Sequence, residues 1–193
     1  MTTPPALETA LAAQRVLPVL RALRSADAIA TVTHLLTAGC QVVELTTSTH
    51  DWQAALAECV RLAENHALIG IGTITTTDQA TTAINAGAAF LVSPFPVAGV
   101  RAVATNTPFI EGGFTPAEIA NAATFGPAKV FPAHVGGPAF IRSLLAVLPT
   151  AQLIPTGGIA LDDVDEYLAA GALAVGIGSG LPADLATLFN RTA

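Results

Sequence analysis

The sequence predicts an α/β protein built as a single-domain (β/α)8 barrel of the TIM type over residues 1–193. Eight short apolar runs alternate with stretches of helical character, which is the order expected for parallel strands joined by helices. The mean hydropathy of +0.59 indicates strands that are apolar on both faces, as in a sheet covered by helices. A repeat of roughly 22 residues is short but sufficient for a barrel of about 200 residues.

The predicted elements follow one another without a linker or a low-complexity segment. Residues 1–13 are expected to form a leading helix or arm. The predicted strands are 16–20, 42–46, 68–73, 90–94, 108–111, 129–131, 153–155 and 174–178. The predicted helices are 27–37, 51–65, 78–86, 116–123, 138–148 and 161–170.

Local signals mark the helix ends. Several helices open at a residue that can cap an N-terminus (Ser25, Asp51, Thr77 and Thr115), and several end near a glycine (Gly39, Gly87 and Gly171). The alternative architecture is an open, doubly wound sheet. The sequence has no GxGxxG motif followed by an acidic residue about 20 positions later, which disfavours the dinucleotide-binding form of that alternative.

Composition excludes several classes of protein. Apolar residues make up 52% of the chain and charged residues 11%, the opposite of a disordered chain. A net charge of −6 disfavours nucleic-acid binding. No apolar run reaches the ~18 residues of a membrane span, and the N-terminus has no secretory pattern. Cys40 and Cys59, expected to be buried, have neither metal-ligand nor redox spacing, so we expect a cytoplasmic protein.

Glu44 lies in the middle of the second predicted strand. Because side chains alternate along a strand, Val42, Glu44 and Thr46 share one face, and Val43 and Leu45 share the other. If Val43 and Leu45 face the helices, Glu44 points into the barrel. A buried carboxylate needs a partner in either case, so Glu44 is a structural charge or an acid–base group.

Lys129 is the sole lysine of the chain and lies in its most apolar strand. Burial disfavours the ammonium form and makes neutral amine available, which an imine-forming lysine requires. A nearby Glu44 carboxylate would act in the opposite sense and hold the lysine charged. The alternatives are therefore imine chemistry and a structural Glu44–Lys129 ion pair.

Further candidates stand at the C-terminal ends of strands, where barrel active sites lie. Thr73 follows a glycine-rich strand and offers a hydroxyl and an N–H group. Glycine-rich loops follow strands seven and eight, in the segments 155–159 (PTGGI) and 176–180 (GIGSG), where such barrels bind phosphate. Arg21 could reach a phosphate or a carboxylate. The alternatives are ordinary turn glycines and a solvated arginine.

The histidines do not predict a metal site. His34, His50, His66 and His134 lie on different elements, and neither HxH nor HExxH occurs, so zinc or iron is not expected. His134 is the one near the expected mouth of the barrel, where it could transfer protons.

Glu111 ends the fifth strand and is expected to pair there with either Arg21 or Lys129.

These residues resemble the family of 2-keto-3-deoxy-6-phosphogluconate (KDPG) and 4-hydroxy-2-oxoglutarate aldolases. Matching segments run in order through almost the whole chain: 16–21 (VLPVLR), 43–46 (VELT), 70–73 (GIGT), 92–94 (VSP), 115–118 (TPAE), 129–133 (KVFPA), 155–159 (PTGGI) and 175–179 (VGIGS). The KVFPA and PTGGI segments together are fairly specific.

The resemblance implies a homotrimeric (β/α)8 barrel and class I aldol cleavage through a Schiff base, without a metal or a cofactor. It implies that Lys129 forms the imine and that Glu44 is the acid–base residue. The implied substrate-binding residues are Thr73 at the pyruvyl carboxylate, Gly157, Gly158, Ser179 and Arg21 around a phosphate, and Pro94, Phe131 and Ser48.

Three positions depart from the family pattern. Ser48 stands where many members carry an arginine that helps to bind the keto-acid carboxylate, although others have a small hydroxyl residue. His134 stands where a glutamate is frequent, and Glu111 where a proline is usual. The departures bear on carboxylate affinity and on the part of the substrate beyond the pyruvyl half.

The expected function is cleavage of KDPG to pyruvate and glyceraldehyde 3-phosphate, with 4-hydroxy-2-oxoglutarate as a further substrate. One alternative is an aldolase of the same mechanism for another keto acid, such as the phosphogalactonate epimer. A second is a phosphosugar isomerase or epimerase that uses Glu44 as a base without an imine. A third is a non-catalytic barrel that binds a phosphate metabolite.

Overall fold

The structure, a computed structural model, describes residues 6–178, 181–182 and 184–189. In chain order its elements are α1 (Leu7–Gln14), β1 (Val16–Leu20), α2 (Ser25–Thr37), β2 (Val42–Thr46), α3 (Trp52–Ala63), β3 (Leu68–Gly72), α4 (Thr77–Asn85), β4 (Phe90–Val92), α5 (Val100–Val103), β5 (Phe109–Ile110), β6 (Gly112–Gly113), α6 (Pro116–Ala123), β7 (Ala128–Val130), α7 (Gly137–Val147), β8 (Leu153–Pro155), α8 (Val164–Ala169) and β9 (Val175–Ile177). Short 3-10 turns occupy Ala133–Val135, Leu161–Asp163 and Leu185–Leu188. The alternation of strands and helices is the predicted one.

The helix starts confirm one predicted cap and correct the others. Thr115 forms a full capping box with Glu118 at the start of α6, which satisfies two backbone donors reciprocally. Thr76, not Thr77, caps α4 by accepting a hydrogen bond from the backbone of Gln79. Ser25 is the first helical residue of α2 and makes no cap. Asp51 precedes α3, but its side chain makes no capping hydrogen bond.

The predicted glycines do end their helices. The three glycines that follow α2, α4 and α8 have φ angles of 91° (Gly39), 89° (Gly87) and 101° (Gly171). This left-handed region carries no Cβ penalty for glycine. The helix α5, between β4 and β5, was not predicted, because it is only four residues long and has no apolar periodicity to detect.

The strands are parallel and form a curled sheet in two hydrogen-bonded groups. Their orders are β5-β4-β3-β2-β1-β9 and β6-β7-β8. Neighbours in the sheet are neighbours in the chain, apart from the β1–β9 pair, so this described part of the chain lacks the reversal of strand order that characterises a doubly wound sheet. Between the groups, the backbone N–H of Leu173 donates to the carbonyl of Leu153 (2.9 Å), and Thr156 forms a parallel bridge with Gly176.

The predicted fifth strand is divided into β5 and β6 at Glu111, because the strand changes its partner there. The N–H of Ser93, after β4, donates to the carbonyl of Ile110 (3.1 Å), whereas the N–H of Lys129 in β7 donates to the carbonyl of Glu111 (3.0 Å). One extended segment therefore pairs with β4 on one side and with β7 on the other.

Strand alternation produces two apolar cores. Val43 and Leu45 pack in the core between the sheet and the helices, together with Trp52 and Leu56. Val42 belongs to a second core with Leu17, Val19, Phe90, Val92, Ile110 and Ile154. Val43 and Leu45 therefore face the helices, which is the condition under which Glu44 points inward, and the opposite face of β2 looks into the curl of the sheet.

Helix α1 covers the N-terminal end of this inner core. Leu7, Ala10 and Leu11 pack into it. The buried Gln14 amide nitrogen donates to the carbonyls of Val16 (2.8 Å) and Val42 (2.7 Å), and its oxygen accepts from the N–H groups of Gln41 and Val42. These hydrogen bonds of Gln14 fix α1 against the start of β2, so α1 closes the N-terminal ends of the strands. The C-terminal ends of the strands are therefore the accessible ends.

Both cysteines behave as small buried apolar side chains, as predicted. Cys40 and Cys59 are free thiols, and burial raises the pKa of each to about 12. Among the described residues, no helix combines the length and the apolar character that crossing a bilayer would require.

Candidate active site

A buried amine and a buried carboxylate meet inside the curled sheet. Glu44 lies in β2 and Lys129 in β7, and the two side chains come together across the interior with Lys129 Nζ 3.5 Å from Glu44 Oε1. Glu44 is 1% exposed and Lys129 is 5% exposed. The structure thus brings together the two residues predicted to carry the chemistry, although 85 positions separate them along the chain.

Two glycines of β3 make room for this pair. Gly70 lies beside Glu44 in the β2–β3 register, and a Cβ there would collide with the ring of Phe90. A Cβ at Gly72 would collide with the Glu44 carboxylate itself. The glycines at 70 and 72 therefore serve interior packing, because any larger residue would displace Phe90 or Glu44.

Burial dominates the electrostatics of Glu44. It raises the pKa of the Glu44 carboxyl above its usual range, and the charges of Lys129 and Arg21 oppose this effect only in part. The second oxygen, Oε2, is buried without a hydrogen-bond partner among the described residues. Since buried polar atoms usually have a partner, this oxygen is suited to exchanging a hydrogen bond or a proton with a bound molecule.

A cavity of about 720 Å³ opens above the pair. Most of its walls are formed by residues at or just after the C-terminal ends of strands, which is where ligands bind in parallel α/β folds. Six of the predicted substrate-binding residues line it: Arg21, Thr73, Pro94, Phe131, Gly157 and Gly158. Thr156, which belongs to the predicted loop 155–159, lines it too, as do Thr75 and Phe95, which were not predicted.

Thr73 adopts a backbone conformation that is unusual for its residue type. Its φ is 62°, in the left-handed region that is strained for a β-branched residue. Its carbonyl accepts a hydrogen bond from the Thr47 hydroxyl (2.8 Å), which helps to hold the end of β3 in place. The Thr73 side chain and N–H are thus fixed at the wall of the cavity.

The loop after β8 is bound to the turn after β7. Gly157 and Gly158 have φ angles of 96° and 70°. The carbonyl of Gly157 accepts from the backbone N–H of His134 (3.2 Å) and lies 3.2 Å from its ring Nδ1. The His134 ring packs on Gly158, where a Cβ would strike it. His134 therefore lines the cavity near the mouth.

One predicted substrate-binding residue, Ser48, is not among the described residues that line the cavity. Ser48 is exposed, and its hydroxyl shares a 2.8 Å hydrogen bond with the hydroxyl of Thr46, which does line the cavity. Ser48 therefore reaches the site through Thr46. Ser179 lies outside the described residues.

The expected partner of Glu111 is wrong. Its carboxylate pairs with Arg101 at 2.7 Å, not with Arg21 or Lys129. The register places Gly112 opposite Lys129. Since Lys129 faces the interior, Gly112 does too, and alternation turns Glu111 outward to the helix side. Its charge therefore lies behind the wall of the cavity.

No metal site accompanies this pair in the described residues. None of their His, Cys, Asp and Glu side chains form a group of three or more that could hold a metal ion.

The arrangement is suited to one kind of chemistry. A buried amine beside a proton-carrying carboxylate can condense with a carbonyl and then move protons on the bound product. Fold and site together define an enzyme of the carbon–carbon lyase class, the aldolases. The chain belongs to the family of KDPG and KHG aldolases, whose family model matches residues 7–187.

Two relatives and one solved structure illustrate the membership. A 2-dehydro-3-deoxy-phosphogluconate aldolase from Treponema pallidum is 36% identical over 165 residues, covering 83% of this chain and 78% of the relative. A probable 2-dehydro-3-deoxy-6-phosphogalactonate aldolase from Rhizobium meliloti is 33% identical over 168 residues, with coverages of 84% and 79%.

The solved structure is that of the KDPG aldolase of Legionella pneumophila, with pyruvate captured as a covalent carbinolamine intermediate. It matches this fold with a TM-score of 0.76 at 29% identity, covering 91% of this chain and 86% of that one.

Proposed function

We propose that this chain is a class I, Schiff-base aldolase that cleaves KDPG to pyruvate and glyceraldehyde 3-phosphate, and that it also accepts 4-hydroxy-2-oxoglutarate. The observation that carries the proposal is the buried 3.5 Å contact between Lys129 Nζ and Glu44 Oε1 beneath the cavity. The name of the Treponema relative and the covalent pyruvate adduct of the Legionella enzyme support it.

The first half of the reaction builds the electron sink. The neutral amine of Lys129 adds to the C2 ketone of the substrate and forms a carbinolamine. Glu44 donates the proton with which the C2 hydroxyl leaves as water, and a protonated imine forms. The raised pKa of the Glu44 carboxyl favours the protonated form that this step uses.

The second half breaks the C3–C4 bond. Glu44, now a carboxylate, accepts the C4 hydroxyl proton, C4 becomes the aldehyde carbon, and the bonding electrons move to the iminium and form an enamine. Proton return to C3 and addition of water to the imine release pyruvate and the free amine. Burial strengthens the attraction between the iminium and the Glu44 carboxylate.

Substrate placement follows from the walls of the cavity. We assign Thr73 to the pyruvyl carboxylate, with Ser48 supporting through Thr46. Arg21 and the Gly157–Gly158 turn, with Ser179, are assigned to the phosphate, which would hold C4 near Glu44. Pro94 and Phe131 supply apolar walls.

Borohydride trapping tests the imine directly. Incubation with pyruvate and borohydride is expected to add one reduced pyruvyl group to Lys129, read by peptide mass spectrometry. Since Lys129 is the only lysine, the N-terminus is the only other primary amine. Lactate, which has a hydroxyl in place of the ketone of pyruvate, serves as the control ligand. An adduct confined to the N-terminus, or no adduct, would refute the Schiff-base mechanism.

The phosphogalactonate epimer is the second candidate substrate, because the Rhizobium relative is named for it. Aldehyde release from KDPG, its galactonate epimer and 4-hydroxy-2-oxoglutarate would rank the three. If Arg21 and the Gly157–Gly158 turn bind phosphate, the phosphorylated acids are expected to show a kcat/KM at least about tenfold above that of an unphosphorylated analogue. Equal values would remove the phosphate assignment.

We further infer a closed eight-stranded barrel over residues 1–193, in which β5 and β6 are halves of one strand. The Leu173–Leu153 hydrogen bond and the Thr156–Gly176 bridge support closure between β8 and β9.

A homotrimer is also proposed. Its support is the 11% share of charged residues and the exposed ring of Phe125. The free thiols of the chain support a reducing, cytoplasmic setting.

A further inference from the structure

A short strap, residues 93–97 (Ser-Pro-Phe-Pro-Val), forms one side of the cavity. Pro94 and Phe95 of the strap line the cavity. Phe95 is 50% exposed and Lys129 is 5% exposed, so the strap lies toward the mouth and the amine lies at the floor. Since proline has no backbone N–H, Phe95 and Val97 carry the only backbone donors after Ser93 in this segment.

Three consecutive sheet residues hold both ends of the strap. At its first end, the N–H of Ser93 donates to the carbonyl of Ile110 (3.1 Å), and the Ser93 hydroxyl accepts from the N–H of Gly112 (3.2 Å). At its last end, the N–H of Val97 donates to Glu111 Oε1 (3.2 Å). The Glu111 side chain is thus the anchor of the end that follows Phe95.

Arg101 holds Glu111 in that position. Its Nη2 and Nε donate to Glu111 Oε2 at 2.7 and 3.3 Å. The Arg101 guanidinium carbon lies 4.0 Å from the ring centroid of Phe125 and 5.1 Å from that of Phe109. These two aromatic contacts hold the guanidinium group in place. Glu111 is 5% exposed, and a buried carboxylate is stable only with such a counter-charge.

The same residue is tied to the strand of the lysine, because the carbonyl of Glu111 accepts from the N–H of Lys129 (3.0 Å). We propose that Glu111 and Arg101 are positioning residues that fix the strap relative to Lys129. They thereby hold Phe95 against the part of the keto acid that extends beyond its pyruvyl end. This inference rests on the proposed aldol cleavage and adds a determinant of substrate binding to it.

The test separates the two ends of the substrate. In Glu111→Ala the Val97 N–H loses its acceptor, and KM for the preferred keto acid is expected to rise roughly tenfold with kcat nearly unchanged. Borohydride trapping of pyruvate, which reports only the floor of the cavity, should keep the wild-type rate. Glu111→Gln retains an acceptor for Val97 but loses the charge facing Arg101, so an intermediate KM is expected.

Glu58→Ala is the matched control, because it breaks a surface pair with Arg61 (2.6 Å) and should leave KM unchanged. A lowered Tm in Glu111→Ala with the wild-type KM would refute the inference, as would pyruvate trapping that slows as much as cleavage. If Glu111→Ala does not fold, Glu111→Gln and Arg101→Lys decide, and a wild-type KM in both refutes it. Wild-type protein that traps no pyruvate refutes the proposed function instead, and this inference with it.

Discussion

Lys129→Met is expected to abolish cleavage, with kcat reduced by about 10⁴-fold or more. The thioether cannot form an imine, and no second lysine exists in the chain to replace the amine. Methionine is similar to lysine in length, so the interior beside Phe131 and Ile154 stays filled. Aldehyde release and borohydride trapping measure the loss, and circular dichroism checks the fold.

The stability of Lys129→Met should depend on pH. Removing one member of a buried pair costs about 3–5 kcal/mol when the remaining charge stays ionised. Without Lys129, the pKa of Glu44 rises further, because burial already raises it and the lysine charge lowers it. A group whose pKa is raised in the folded state stabilises the protein at low pH, and this stabilisation is lost as the pH rises through the folded-state pKa. Urea denaturation should therefore show a smaller deficit near about pH 5 than near about pH 8.

Lys129→Arg separates the enzymatic alternatives. Arginine keeps a positive charge near Glu44 but cannot form the imine, so an aldolase would be inactive in this variant. Retained turnover would favour an isomerase or epimerase that uses Glu44 as a base. Unchanged cleavage in Lys129→Met would reject Lys129 as the nucleophile.

Glu44→Gln is expected to lower kcat by about 10²–10⁴-fold, the usual contribution of a positioned acid–base group. Glutamine has the same shape, and the space that Gly72 leaves for the carboxylate accepts an amide equally well. The variant should fold and should still form some pyruvate adduct, since the amine remains, but more slowly. Single-turnover cleavage and the rate of trapping measure the two effects.

The pH profile gives an independent check of Glu44. Its raised pKa means that the carboxylate needed to accept the C4 proton appears only above the ordinary range of a glutamate, about pH 4.3. The acid limb of kcat for the wild type should therefore be displaced upward, and Glu44→Gln should lose that limb. Asp27→Asn, which removes an exposed pair with Arg24 (2.9 Å), is the control and should keep the wild-type profile. The same acid limb in Glu44→Gln would assign it to another group.

The sequence predicted most of the elements because local patterning determines them. The strand bounds at Val16–Leu20 and Val42–Thr46 and the helix Pro116–Ala123 agree with the structure, since each has a clear apolar pattern or a strong cap. The two-residue period of β2 placed Glu44 opposite Val43 and Leu45, and the packing of those two residues against the helices then turned it inward. The local failures were at element ends and in one short helix: Thr76 caps α4 in place of Thr77, Ser25 and Asp51 make no capping hydrogen bond, and α5 was too short to detect.

The site was less predictable where it depends on partners that are distant in the chain. Glu111 was assigned the wrong partner because the register of β6 against β7, which turns its side chain outward, cannot be read from the order of residues. The role of Gly72 required knowing that Glu44 lies against it. Phe95 and Thr75 carried no motif, and only the curvature of the sheet brings them to the cavity.

The sequence by itself determined the alternation of strands and helices, the sole lysine, and the placement of Glu44 on the opposite face of its strand from Val43 and Leu45. The apolar period and the composition depend only on residues that are close along the chain, so they can be read without knowing the tertiary structure. Only the tertiary structure decided that Nζ of Lys129 meets Oε1 of Glu44 at 3.5 Å, and that Arg101 and Glu111 brace the wall beside them. Such contacts depend on the register and the curl of the strands, which result from packing over the whole chain.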